Sequence, residues 1–533
     1  MARVQPAKIG VESVHLAANS NQALGIAQFA IDFLGGKFSG PDQSVLKRTE
    51  LFHTDSVVCG LSALALKTNA PTILRAEALE WEHKQGARVF GSSTKVAVSK
   101  AIVANSSAVR EWDSNGTNFG YNEALNHKAG EFGHNDFYPV CVAAAQEKGL
   151  DGATTLRAMV CLDEIRGRLA EVFALKNYKI DHVVHGGIGS AAVYGALMGA
   201  TAEQIEMAIG MLVAHYIPFR AIRAGHQLSD SKGASAAITS EVAIMCMKRT
   251  MKGFMGPRDI FRNPQAIFRL FEPTKGDSPF ELMLTHTGTD FAIMGMHFKL
   301  GLYEHQSAGA LQGLIDLLRK HPDLASNAGS IASIKILCYE PAFGIIGDPA
   351  KRSPTTRQSA DHSMVFIVSR KLKKALDLVA AGTALPSDNN KLWQQLMLLP
   401  SDYSLEAVHD KATRFLMEKI EFEHGGKEYD DRYPNGIPTS VVITDTSGKQ
   451  YDSGLVMYPS GHARNTTCDL SAILAHKFAQ LGGIAVKDVN ALLMNLGDLE
   501  SKSPAEMGAL YDCDINFSQA PLDAPAGPRA RLC

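Results

Sequence analysis

Cysteine is sparse and unpatterned in this chain. Eight residues, at 59, 141, 161, 246, 338, 468, 513 and 533, are spread over 533 positions, and no two form a CxxC pair. That spacing excludes a disulfide framework, which needs dense cysteines in a small secreted chain. It also offers no clustered thiolates for an iron–sulfur centre. Charge of one sign is missing too: 53 basic against 55 acidic residues leave a net charge of -2. Without a basic block, no nucleic-acid partner is expected. No run of about 18 apolar residues occurs, so no membrane span is expected. Arg3 and Lys8 precede any acid, but no apolar signal core follows them. The expected setting is a reducing one, the cytoplasm or, in a eukaryote, the mitochondrial matrix. Also missing are a P-loop, a GxGxxG after a strand, a GxSxG elbow and an HExxH pair.

What is present is an ordinary globular composition, 45% hydrophobic and 20% charged, with room for about three domains at roughly 150 residues each. The first 270 residues read mostly as helix. From Thr154 to Phe173, apolar residues recur at spacings of three and four (Leu156, Met159, Val160, Leu169, Val172). Thr201 and Gln204 form a capping box. Gly186 to Gly199 is a stretch of small residues suited to a helix packed deep in a bundle.

After about residue 270 the character changes. Ser333–Tyr339 alternates like a strand. Ser440–Thr444 and Leu455–Tyr458, around Asp445-Thr-Ser-Gly448, read as a hairpin. Helical patterns cover 371–378, 392–399 and 405–420, and return at 470–481 and 486–496. The last dozen residues read as a loose tail. The expected fold is mainly α: a large helical domain (1–270 and 459–533) with a smaller α+β lid domain inserted at 271–458. A cleft between two such units suits a small molecule.

Chemistry-bearing residues fall in a few polar segments. Asp113, Thr117 and His134 bracket a long polar stretch within an apolar region, which reads as a functional loop. His182 and His185 are spaced for one helical face, as a metal pair would be, but no third ligand is evident, and the reading adopted is a single histidine facing a pocket. Arg220, Arg223 and His226 precede Ser229-Asp-Ser-Lys232, where an anion could meet an ammonium and helix N–H groups. Lys299, Tyr303 and His305 open the second region. Two compact polar segments, Arg357 to Ser363 and Tyr458 to Arg464, read as turns pinning one domain to the other.

Six segments recur in order across nearly the whole chain: Arg110-Glu-Trp-Asp-Ser-Asn-Gly-Thr117, Glu131-Phe-Gly-His134, Asp181-His-Val-Val184, Leu228-Ser-Asp-Ser-Lys-Gly-Ala234, Ala360-Asp-His-Ser363 and Tyr458-Pro-Ser-Gly-His-Ala-Arg464. On these the chain resembles the MmgE/PrpD family. Gly116 departs from the acidic residue that the family's bacterial dehydratases usually place before the loop threonine. The resemblance implies a homodimer of helical domains with inserted lids, acting without metal or cofactor on a small tricarboxylate. The implied activity is dehydration of 2-methylcitrate; decarboxylation of cis-aconitate and epimerisation of a related polycarboxylate are the family's other chemistries. Asp113, Thr117, His134, His182, Lys232 and Lys299 would form the catalytic set, with Arg220, Arg223 and Tyr303 binding substrate. His134 would move a proton, Asp113 would orient a partner, and the lysines would grip carboxylates.

The cysteine spacing generates a first prediction. Turnover should survive exhaustive chelation and air, and the purified protein should be colourless. Activity lost to a chelator and regained with iron or zinc would overturn this.

Overall fold

The computed structural model describes residues 12–118, 120–223 and 227–523. The Arg3–Lys8 segment, His226 and most of the expected tail (524–533) lie outside the described residues. The architecture is mainly α, with small sheets. Among the described residues, nine α-helices build the first half: α1 (Gln22–Leu34), α2 (Gln43–Ala65), α3 (Asn69–Leu79), α4 (Val98–Glu111), α5 (Tyr138–Lys148), α6 (Gly152–Val172), α7 (Val183–Met198), α8 (Ala202–His215) and α9 (Ser231–Met251). The capping box on α8 forms as its sequence directs.

The small-residue helix α7 lies at the centre, against α6, α8, α9 and α1. Its glycines permit this close packing. A Cβ on Gly186 would overlap the Phe137 ring, and one on Gly195 would press on Ile205 and Met247. In a core packed at crystal-like density such an overlap has no cheap relief.

The short strands in the first half are legible only in the structure. β1 (Glu12–Leu16) and β2 (Gly40–Pro41) flank β7 (Leu282–Gly288) in one sheet. Their pairing joins residues more than 240 positions apart, as in Leu16 with Leu282, so no local turn announces it. β3 (Glu82–Arg88) pairs with β4 (Lys95–Val96), and β5 (Thr117–Asn118) with β6 (Gly133–His134).

The second half contains a four-stranded sheet ordered β11-β10-β8-β9, made of β8 (Ile331–Cys338), β9 (Ile420–His424), β10 (Thr439–Asp445) and β11 (Gln450–Asp452). Helix Ala308–Lys320 packs on β10. Two details differ from the sequence reading. The hairpin partner of β10 is β11; the 455–458 segment contributes only a single bridge, Val456 to Thr439. The turn closes early, with Asp445 N–H donating to the Lys449 carbonyl at 2.9 Å. The helical pattern over 405–420 breaks into Leu405–Val408 and Lys411–Met417, because Asp410 caps a new start by accepting from Thr413 N–H at 2.8 Å.

The returning helix Leu470–Ala485 packs against α2. There Lys477 and Asp55 form an ion pair at 2.6 Å with both side chains fully buried. The Lys477 ammonium also donates to the carbonyls of Ser114 (2.7 Å) and Lys299 (2.8 Å). One cation thereby joins the chain's late helix to two loops near Asp113.

Breaking a buried pair by removing one partner strands a charge, at about 3–5 kcal/mol. Lys477→Met should cost that much in chemical denaturation, and Asp55→Leu added to it should recover a large part. A loss under about 1 kcal/mol would show that the pair does not support the framework.

Candidate active site

The site begins where α4 ends. Arg110 and Glu111 are buried in its last turn, and the chain leaves the helix at Trp112, whose indole N–H donates to Ser62 Oγ at 2.9 Å. Asp113 follows, 1% exposed. Its Oδ1 accepts from Arg110 Nη1 at 3.1 Å and from the Lys299 ammonium. Its Oδ2 lies 2.8 Å from His362 Nδ1 and 3.6 Å from Lys232 Nζ. Burial alone would raise this carboxyl, but Arg110, Lys299, His362 and Lys232 together hold it well below the usual carboxylate range.

Thr117 then pairs in β5 with His134 in β6, and its backbone exchanges hydrogen bonds with His297 at 3.0 and 2.7 Å. This lays the two sequence-distant residues side by side. Just before Thr117, Gly116 has no room for any side chain, since a Cβ would meet the Phe52 ring. The His134 and His182 rings meet edge to face, with centroids 5.3 Å apart. Both are held well below the ordinary histidine pKa by burial, the nearby Arg110 adding to this for each.

Asp113, Thr117, His134, His182, Arg220 and Arg223 line one cavity. Arg223 is engaged by Asp181, with Nη2 to Oδ1 at 3.3 Å. Arg220 has one guanidinium nitrogen, Nη1, buried without a partner among the described residues.

The structure places two sets of expected site residues away from the cavity wall. Lys232 and Lys299 do not line the cavity. They are buried behind it, Lys232 donating to Asp361 Oδ1 at 2.6 Å and Lys299 to Asp113. Their ammonium groups pair with carboxylates of the protein, and from there they act on the field of the site. Tyr303 is likewise absent from the lining; its hydroxyl accepts from Leu300 N–H at 2.7 Å within its own loop. His185 turns away from His182 and bonds the Phe173 carbonyl at 3.0 Å, so the pair does not converge on an ion.

The cavity also contains residues the sequence reading left aside. Glu304, 5% exposed, is raised to about 7 by burial, with Asp113 adding to the effect and the Gln306 N–H (2.9 Å) partly opposing it. Lys351 is lowered to about 8, again by burial, with Glu304 opposing. His362 and Asp361 come from the Ala360-Asp-His-Ser segment, whose polar compactness was visible but read as a turn. Arg110 opens a recognised segment, yet nothing marked its side chain. For Lys351 the sequence carried no signal. Asp113, Asp361 and His362 bring ligand-type atoms within 4.8 Å of one another, an arrangement able to hold a metal ion. Lys232, Lys299 and Arg110 already neutralise the same carboxylates.

Residues 26–278 match the MmgE/PrpD N-terminal domain. The chain is 23% identical over 315 residues to a protein named 2-methylcitrate dehydratase from Escherichia coli (strain K12), a match covering 58% of this chain and 59% of that protein. It is 23% identical over 421 residues to the Salmonella typhi protein of the same name, covering 77% and 80%. A Yarrowia lipolytica relative, named 2-methylcitrate dehydratase, mitochondrial, is 25% identical over 345 residues, covering 62% and 60%. Among the described residues no single helix is long and apolar enough to cross a membrane.

The field argument is testable at His362, which burial and then Lys232 hold below the ordinary histidine value. In Lys232→Met its NMR-titrated pKa should rise. An unchanged titration in a folded variant would disconnect Lys232 from the site.

Proposed function

We propose that the protein is a hydro-lyase that dehydrates 2-methylcitrate to 2-methyl-cis-aconitate by acid–base chemistry of its own side chains. The observation that carries this is the pairing, in one cavity, of a carboxyl titrating near neutrality (Glu304) with cationic side chains (Arg220, Arg223, Lys351). The relatives' names support the same reaction class. The substrate has three carboxylates, so cations on the wall bind it by charge-assisted hydrogen bonds. The reaction breaks a C–H bond next to a carboxylate and a C–O bond on the adjacent carbon, forms C=C and releases water. Ionised Glu304 takes the carbon-bound proton. Charge building on the neighbouring carboxylate meets Arg220 and Arg223, whose fixed positions lower the barrier. The departing hydroxyl receives its proton from Lys351, whose pKa near 8 keeps the donor form populated at neutral pH. The reading also includes a homodimer, and a lid-like role for the region that contains the β8–β11 sheet.

The test is direct incubation of the pure protein with 2-methylcitrate, following the ultraviolet absorbance of the new conjugated double bond. Release of CO₂ from cis-aconitate instead, or a product of unchanged mass from a related polycarboxylate, would replace this reaction with another. Glu304 sets the pH dependence: the base is its ionised form, so kcat should fall as pH drops through about 7. Glu304→Gln should lose at least about 10²-fold in kcat and that acid limb with it. A Gln variant retaining the limb would remove Glu304 as the base.

A further inference from the structure

Arg110 contacts one of the two ring nitrogens of His134. The Arg110 side chain is 1% exposed and its guanidinium reaches four partners: Nη1 to Asp113 Oδ1 at 3.1 Å and to the Trp112 carbonyl at 3.4 Å, Nε near Asp136 Oδ2 at 3.8 Å, and Nη2 to His134 Nε2 at 3.2 Å. An arginine has only N–H donors and no acceptor, and it does not deprotonate in proteins. In the contact with His134, therefore, the guanidinium donates and Nε2 accepts with its lone pair. A neutral imidazole has one N–H, so that proton sits on Nδ1. Nδ1 is buried and has no partner among the described residues, while the ring lines the cavity. A buried unpartnered donor carries a desolvation penalty unless a ligand takes it up.

We propose that Arg110 is a positioning residue that locks His134 in the Nδ1–H tautomer, making His134 a neutral hydrogen-bond donor to the substrate rather than a base. The expectation that His134 shuttles a proton is thereby replaced. Accepting a proton at Nε2 would require breaking the Arg110 contact and placing an imidazolium beside a guanidinium. Accepting one at Nδ1 would require a tautomer with Nε2–H facing a donor. What remains is donation from Nδ1–H to an oxygen that gains negative charge, the use of neutral imidazole seen where an electropositive neighbour keeps a histidine uncharged. The substrate oxygen is the part that rests on the dehydratase reading; the tautomer does not.

The test is ¹⁵N–¹H correlation of side-chain nitrogens in the histidine-labelled full chain, with His134 assigned from the signal missing in His134→Gln. The expected result is a neutral ring with its proton on Nδ1 throughout pH 6–8. A proton on Nε2, or an imidazolium at pH 7, overturns the proposal. In Arg110→Met the proton should redistribute toward Nε2. A folded variant with the proton still wholly on Nδ1 also overturns Arg110's part. Should that variant not fold, the unmodified chain's spectrum decides alone. Because the readout needs no turnover, an intact Nδ1–H signal in a chain inactive on 2-methylcitrate would sink the reaction and leave this inference standing.

Discussion

The site depends on one buried carboxylate. Asp113 is all but sealed from solvent, and its ionised form survives there only because Arg110, Lys299, Lys232 and His362 converge on it from four parts of the chain. Arg110, Lys299 and Lys232 are buried as well and would be costly without it. Asp361, Glu111 and Arg357 extend the same web, Arg357 pairing with Glu111 and lying 3.8 Å from Asp361. Such a cluster is all-or-none: removing one member exposes the desolvation of the rest. It therefore couples the end of α4, the start of α9, the Lys299 loop and the 357–363 turn into one rigid unit.

That rigidity is reinforced from behind. Lys477, in the returning helix, holds the carbonyls of the residues at Ser114 and Lys299 and pairs with Asp55 of α2. The loop carrying Asp113 and the loop carrying Lys299 thus hang from one cation in the helical core. The positively charged residues divide into two populations with different work. Lys232, Lys299 and Lys477 are internal and neutralised by the protein's own carboxylates and carbonyls; Arg220, Lys351 and Arg223 line the cavity, Arg223 being paired with Asp181 as well.

The same web sets the proton chemistry. Burial, with nearby cations adding to it, holds histidines 134 and 182 well below the ordinary histidine value, while burial, with Asp113 adding to it, pushes Glu304 up to about 7. Environments that drive titratable groups apart in this way separate acids from bases. Under the proposed function the base role falls to Glu304 rather than to a histidine, the conventional choice by intrinsic pKa.

Several features were legible in residue order alone. The 3.6-residue pattern of α6, the capping box of α8 and the glycine-rich α7 are local properties, and the helices form where those patterns lie. The polar stretch around Asp113, Thr117 and His134 also stood out, because such residues are rare inside an apolar helical region, and those three do meet. What remained hidden was non-local. The β1–β7–β2 sheet joins short strands with no connecting turn. Lys232 and Lys299 looked like ligand-binding cations because a sequence shows a charge but not its partner, and the partners, Asp361 and Asp113, are 129 and 186 residues away. Glu304 and Lys351 carried no motif; burial, which only tertiary packing creates, gives them their working pKa values. Residue type determined which groups were available, and the fold decided which of them are spent on each other and which are left for a substrate.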